Sequence, residues 1–304
     1  MASPTGTSDA PFGRMLTAMV TPFTADGALD LEGVQRLATY LVDEQQNDGL
    51  VVSGTTGESA TTTDAEKDMI LRAVVEAVGD RATVVAGAGT NDTRHSAELA
   101  KAAERAGAHG LLLVTPYYNK PPQEGLYRHF TAVADATGLP VMLYDIPGRT
   151  GMAIETETLV RLAAHPRIVA VKDAKGDLFA GAQVMAATDL VFYSGDDTVN
   201  LPWLSVGAAG FVSVAGHVVG AELASMIHMY TSGHVEEARA VNRRLLPVVT
   251  GIMTRTQGAI MSKAALGLLG RPVGPMRLPL VDATREQIAV LREDLVAGGV
   301  KLSD

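Results

Sequence analysis

The chain has 304 residues, 47% of them apolar and 19% charged, a profile of one large folded domain or two ordinary ones. A formal net charge of −9, with no run of Lys or Arg, removes the electrostatic basis for nucleic-acid binding. With no cysteine there are no disulfides, no thiolate catalysis and no cysteine metal sites, a composition compatible with a cytoplasmic location, which we take as the expectation.

Residues 1–12 are polar and rich in small residues, without an apolar signal core, and are expected to form a flexible tail. Beyond them, short apolar runs alternate with longer amphipathic ones. The predicted strands are Leu16–Val20, Leu50–Ser53, Thr83–Ala86, Gly110–Val114, Pro140–Tyr144, Ile168–Lys172, Leu190–Ser194 and Gly210–Val214. Their apolar residues run continuously instead of alternating, as in parallel strands covered on both faces. Each gap has room for a crossover helix. Asp30, Asp64 and Asp92 stand as N-cap candidates before helical patterns, Asp64 with Lys67 in the slot where a capping box would place an acid. Gly107 is placed to stop the third of these helices.

Eight β/α units imply a (β/α)8 TIM barrel over residues 13–230. After the eighth strand only helical patterns remain, so residues 231–304 are predicted to be a C-terminal helical domain. The uncharged stretch from Trp203 to Ala221 matches a membrane span in length, but its four glycines and internal GFVSV run favour a buried strand between helices. No membrane association is expected.

In such barrels the chemistry sits at the C-terminal strand ends and the loops that follow. Here that rim carries Gly54-Thr55-Thr56-Gly57-Glu58, Thr115-Pro116-Tyr117-Tyr118-Asn119, Tyr144 with the turn to Arg149, Lys172, and Ser194-Gly195-Asp196-Asp197. A lysine ending an apolar strand usually snorkels to water. When it is instead held buried, its charged form is disfavoured and the free amine can attack a carbonyl. The company of Thr55, Thr56, Tyr144 and Arg149 favours Lys172 as that nucleophile. Lys175, in the loop beyond, is expected to be solvated. Hydroxyls and amides at Thr55 and Thr56 suit a small carboxylate, the Arg149 fork suits a second one, and the Tyr144 phenol can relay protons. Asp196 and Asp197 are read as helix caps, because the seven histidines show no metal-ligand spacing. The glycines of Ala86-Gly87-Ala88-Gly89 fail as a dinucleotide loop, since Asp92 stands where the third glycine belongs.

The motifs GTTGES at 54–59, VTPYYNKPPQEGLYRHF at 114–130, LYDIPGRTG at 143–151, VKDAKGD at 171–177 and YSGDD at 193–197 resemble those of the dihydrodipicolinate synthase family, in the wording of its actinobacterial members. That family lies within the N-acetylneuraminate lyase superfamily. The resemblance covers nearly the whole chain after the tail. It implies a class I aldolase-type lyase that condenses pyruvate with L-aspartate 4-semialdehyde in lysine and diaminopimelate biosynthesis, without cofactor or metal, as a homotetramer made of two tight dimers. By position, Lys172 would form the imine, and Tyr144, Thr56 and Tyr118 would relay protons, Tyr118 reaching in from a neighbouring subunit. Thr55 with Thr56 would hold the pyruvate carboxylate, Arg149 the carboxylate of the semialdehyde, and the backbones of Gly195 and Val212 would line the site.

A lysine effector site in this family would fall near Ser59, Ala60, Asn91, His95 and Tyr117. Two slots often filled by histidine hold Asp64 and Lys67 here, and His95 takes a slot often filled by glutamate, so weak or absent feedback by lysine is expected. Within the superfamily, the alternative is an N-acetylneuraminate lyase-like enzyme acting on a sugar acid. It would share the imine but commonly reads GSTGE and lacks an arginine at position 149. A barrel that merely senses keto acids is disfavoured by the joint presence of Lys172, Tyr144, Thr56, Tyr118 and Arg149. A metal-dependent phosphosugar barrel lacks its histidine ligands and phosphate loop.

Overall fold

The computed structural model describes residues 6, 7 and 9–303. Eight parallel strands close into a barrel in chain order: β1 (Met15–Ala18), β2 (Gly49–Val52), β3 (Thr83–Gly87), β4 (Gly110–Val114), β5 (Val141–Asp145), β6 (Ile168–Asp173), β7 (Val191–Ser194) and β8 (Gly210–Ser213). Closure comes from β1 pairing with β8, with Met15, Leu16 and Thr17 opposite Phe211, Val212 and Ser213. The predicted strands are all present, displaced by at most two residues at either end.

The period of two along each strand divides its side chains between two cores. Leu16, Ala18, Val51, Val85, Leu112, Met142, Tyr144, Ala170, Tyr193 and Val212 fill the barrel interior. Their neighbours Leu50, Val52, Val84, Leu111, Leu113, Leu143 and Val171 face outward, against the helices. The continuous apolar runs in the sequence are therefore two interleaved faces, each buried for its own reason.

The surrounding helices include α1 (Leu31–Asp43), α2 (Asp64–Val78), α3 (Thr93–Arg105), α4 (Gln123–Asp135), α5 (Pro147–Thr150), α6 (Thr156–Leu162), α7 (Leu178–Ala187), α8 (Asn200–Ser205) and α9 (Gly216–Thr231). After them come α10 (Val235–Met253), α11 (Gly258–Leu268) and α12 (Arg285–Ala297). Asp30 and Asp92 cap α1 and α3 as expected, Asp30 accepting from the Gly33 amide and Asp92 from the amides of Arg94 and His95. For α2 the cap lies one residue earlier. Thr63 accepts from the Glu66 amide while the Glu66 carboxylate accepts from the Thr63 amide, a full capping box. Lys67 is thus one position past the N3 slot, and the missing acid is Glu66.

Residues 1–5 and 8 of the expected tail lie outside the described residues, but its last part is no tail. Ala10 is 2% and Phe12 0% exposed. Phe12 closes the N-terminal mouth of the barrel against Tyr193, at a ring separation of 6.5 Å. A Cβ on Gly110 would come within 2.3 Å of the Phe12 ring, so the bare backbone there makes room for the plug. Composition missed this because one phenylalanine among polar residues carries no periodic signal.

The Trp203–Ala221 stretch resolves into the end of α8, strand β8 and the start of α9. Among the described residues no helix is long and apolar enough to cross a membrane.

Candidate active site

Strand register builds the site. Tyr144 on β5 is level with Lys172 on β6, and Lys172 with Tyr193 on β7. On β6, Ala170 points into the barrel, so Lys172 two residues on occupies the next inward position at the C-terminal mouth. Lys172 is 3% exposed, and its Nζ lies 4.1 Å from the centre of the Tyr144 ring. Among the described residues no carboxylate is within ion-pair distance of it.

Tyr144 is itself locked. Its carbonyl accepts from both the amide and the hydroxyl of Thr115, at 3.0 and 3.1 Å. Thr115 is fully buried just past β4, and sequence reasoning assigned it no role. Its only signal was its place in the Thr115-Pro116-Tyr117-Tyr118 run.

Thr55 and Thr56 follow β2 in a tight turn. Ser53 enters it with φ +56°, and the amides of Glu58 and Ser59 donate back to the carbonyls of Thr55 and Gly54. Thr56 is buried. The turn is held from outside by Glu58, whose carboxylate meets Lys263 of α11 at 2.7 Å with both side chains at most 4% exposed. The Glu58 carboxylate also accepts from the Arg277 amide. Gly195 follows β7, and a Cβ there would sit 2.8 Å from Lys172 Cγ and 2.9 Å from Cε. Val212 is buried in the barrel interior on β8. Gly87 and Gly89 owe their identity to the same crowding: a Cβ on either would lie within 2.4 Å of the backbone of the neighbouring strand or turn. They are packing glycines, not a nucleotide loop.

Arg149 lies in α5, exposed at the rim, and forms no ion pair among the described residues. Tyr118 does not join the buried set of its own chain. It is 88% exposed and holds φ +74°, a left-handed conformation that costs a non-glycine residue about 1 kcal/mol or more. Ser59, Ala60, Asn91, His95 and Tyr117 lie on the loops and helix beyond β2, β3 and β4. There His95 Nε2 is 2.8 Å from Asp64, and Asp64 is also 3.9 Å from Lys67 Nζ.

Two expectations are corrected. Lys175 is not solvated: its side chain is 16% exposed and its Nζ lies 3.3 Å from Asp145, which is wholly buried. Asp196 caps the 3-10 helix Asp197–Val199 as expected, but Asp197 does not cap a helix. It is buried, and it accepts from the Ser213 hydroxyl and from the amides of Val214 and Ala215, tying β7 to the loop after β8. Two cavities of about 480 and 810 Å³ open at the opposite end of the barrel around Arg14, and neither touches Lys172.

The fold and this rim define a (β/α)8-barrel enzyme with a lysine buried at the end of its sixth strand. The chain matches the family model described as the dihydrodipicolinate synthetase family over residues 11–297. It is 66% identical over 300 residues to 4-hydroxy-tetrahydrodipicolinate synthase 2 of Streptomyces coelicolor, covering 99% of this chain and 100% of that one. It is 69% identical over 290 residues to the 4-hydroxy-tetrahydrodipicolinate synthase of Acidothermus cellulolyticus, covering 95% and 94%. Among solved structures, the dihydrodipicolinate synthase of Cyanidioschyzon merolae with lysine bound superposes with a TM-score of 0.93 at 45% identity, over 95% of this chain and 99% of that one. The chain belongs to the dihydrodipicolinate synthase family.

Proposed function

We propose that this lyase condenses pyruvate with L-aspartate 4-semialdehyde to 4-hydroxy-tetrahydrodipicolinate, the committed step toward lysine and diaminopimelate. The observation that carries the reading is the burial of Lys172 at an inward strand position, with its Nζ against the Tyr144 ring. The Lys172 amine attacks the pyruvate ketone, and the resulting carbinolamine loses water to give a protonated imine. That imine draws electrons from the adjacent methyl group, which gives up a proton to form an enamine. Tyr144, Thr56 and Tyr118 move the protons of these steps, and Thr55 with Thr56 holds the pyruvate carboxylate. The enamine carbon then bonds to the aldehyde carbon of the semialdehyde, whose carboxylate Arg149 grips. Finally the semialdehyde's amine displaces Lys172 from the imine, closing the ring and returning the free lysine.

Borohydride reduction in the presence of pyruvate, followed by peptide mass mapping, tests this. The expected adduct is on Lys172; an adduct on Lys175, or none, overturns the assignment. Turnover with aspartate semialdehyde but not with N-acetylneuraminate is the expected second result, and the reverse would assign the enzyme to sugar acids.

The exposed, strained Tyr118 supports a homotetramer in which this side chain completes a neighbour's site. The biosynthetic pathway supports a cytoplasmic location. At the positions of the family's lysine site, Asp64 already engages His95 and Lys67. An effector ammonium would find His95 in place of a carboxylate partner, with Lys67 adding a like charge nearby. Lysine is therefore expected to inhibit weakly or not at all, and strong inhibition below 1 mM, an affinity of about −4 kcal/mol or better, would refute this.

A further inference from the structure

The Asp145–Lys175 pair has no part in the steps above, yet it joins the loop that follows Lys172 to the segment that follows Tyr144. Asp145 is the residue after Tyr144, level with Asp173 on β6, and its side chain is completely buried. Its Oδ1 accepts from the Ile154 amide at 3.2 Å. Lys175 Nζ lies 3.3 Å from the other carboxylate oxygen and 3.4 Å from the Ile154 carbonyl. Both backbone groups of Ile154 are thus held by one ion pair. Lys175 is in turn seated by its own amide, which donates to Asp173 at 2.9 Å, directly after Lys172.

Ile154 closes the segment that Asp145 opens, and Arg149 lies between them on α5. From the outside, Gln123 of α4 holds the same segment by Ala153 and Glu155. The far end of the Arg149 loop, residues 153–155, is therefore clamped from two sides, and the inner clamp ties it back to Asp145 at the loop's start. The inner clamp is bonded to the strand that carries Lys172. A buried ion pair is an expensive way to gain stability, because desolvation consumes most of the attraction. Burial raises the Asp145 carboxyl to about 6 despite Lys175, which shows that cost here. Its return lies in geometry.

We propose that the buried Asp145–Lys175 pair positions the Arg149 loop, so that it governs affinity for the second substrate's carboxylate and leaves the pyruvate half of the site unaffected. This rests on the assignment of Arg149 given above. Neither residue touches substrate. Both act through the loop, where a misplacement of about 1 Å is enough to cost one to two orders of magnitude in kcat/KM for the gripped substrate.

The test compares steady-state kinetics of Arg149→Lys, Lys175→Met and Asp145→Asn with the parent enzyme, beside borohydride trapping of pyruvate. In Lys175→Met the KM for aspartate semialdehyde is expected to rise about tenfold, the KM for pyruvate to stay within about twofold, and trapping on Lys172 to be complete. Asp145→Asn keeps an oxygen for the Ile154 amide and should move the same constant in the same direction by less. It carries the test alone should Lys175→Met not fold. Equal losses in both KM values, or a semialdehyde KM unchanged in Lys175→Met but raised in Arg149→Lys, overturns the proposal by itself. An unchanged semialdehyde KM in Arg149→Lys overturns the role of Arg149 and this inference with it.

Discussion

Lys172 and Gly195 illustrate how far a single position can be read. A lysine at the end of IVAVK is visible in the sequence, but that its side chain turns inward follows only from counting two residues on from Ala170 in a closed barrel. Gly195 owes its identity to that same lysine, because any Cβ would press on the Lys172 Cγ and Cε atoms. Gly195→Ala is therefore expected to lower kcat by about a hundredfold, through displacement of the amine, with little change in the thermal midpoint. Full activity in this variant would mean that the lysine can be repositioned freely. No sequence pattern marks Gly195 in this way, since the contact spans 23 positions and two strands.

At the scale of elements, the C-terminal helices and the turn after β2 are joined by buried charge. Lys263 on α11 pairs with Glu58, and Arg277 makes a two-point ion pair with Glu66 near the start of α2. Lys263→Met strands a buried carboxylate and is expected to cost about 3–5 kcal/mol in urea unfolding, most of it regained in the Glu58→Gln/Lys263→Met double variant. A double variant no better than the single would refute the pairing. For Glu66, Arg277 holds the carboxyl down to about 2 from 4.5. Because the folded value lies below the unfolded one, the contribution is complete above pH 4.5 and is lost as pH falls toward 2. Glu66→Gln retains the capping acceptor and is expected to cost about 1–2 kcal/mol near neutrality once solvent screening is allowed for. The gap should narrow in unfolding curves below pH 4.5, and a constant gap would contradict it. The strands and most helices were legible because burial on both faces and amphipathic spacing are local patterns. Thr63–Glu66 was missed as a cap because Asp64, an equally good capping type, stood one residue away.

At the scale of the molecule, the position of Tyr118 bears on assembly. An inactive Lys172→Ala chain and an inactive Tyr118→Ala chain, refolded together, are expected to recover a fraction of the parent activity, on the order of a quarter at equal mixing in a pairwise assembly. In the hybrid, the intact Lys172 of one chain receives the intact Tyr118 of the other. No recovery despite proven hybrid formation would place Tyr118 outside the neighbour's site. The plug at Phe12 belongs to the same scale: residues that look like a tail become part of the barrel because its mouth offers an apolar surface to cover.

What the sequence determined alone is the eightfold β/α order, the gathering of polar residues at the C-terminal strand ends and the family, all of which rest on local periodicity or on short contiguous motifs. The tertiary structure alone decided the depth of Lys172, the fate of Lys175, the use of Asp197 as a tie and the closure by Phe12. Each depends on which distant groups share one desolvated space. Burial sets the energy of a charge or a phenyl ring, and burial belongs to the closed barrel, not to the residue.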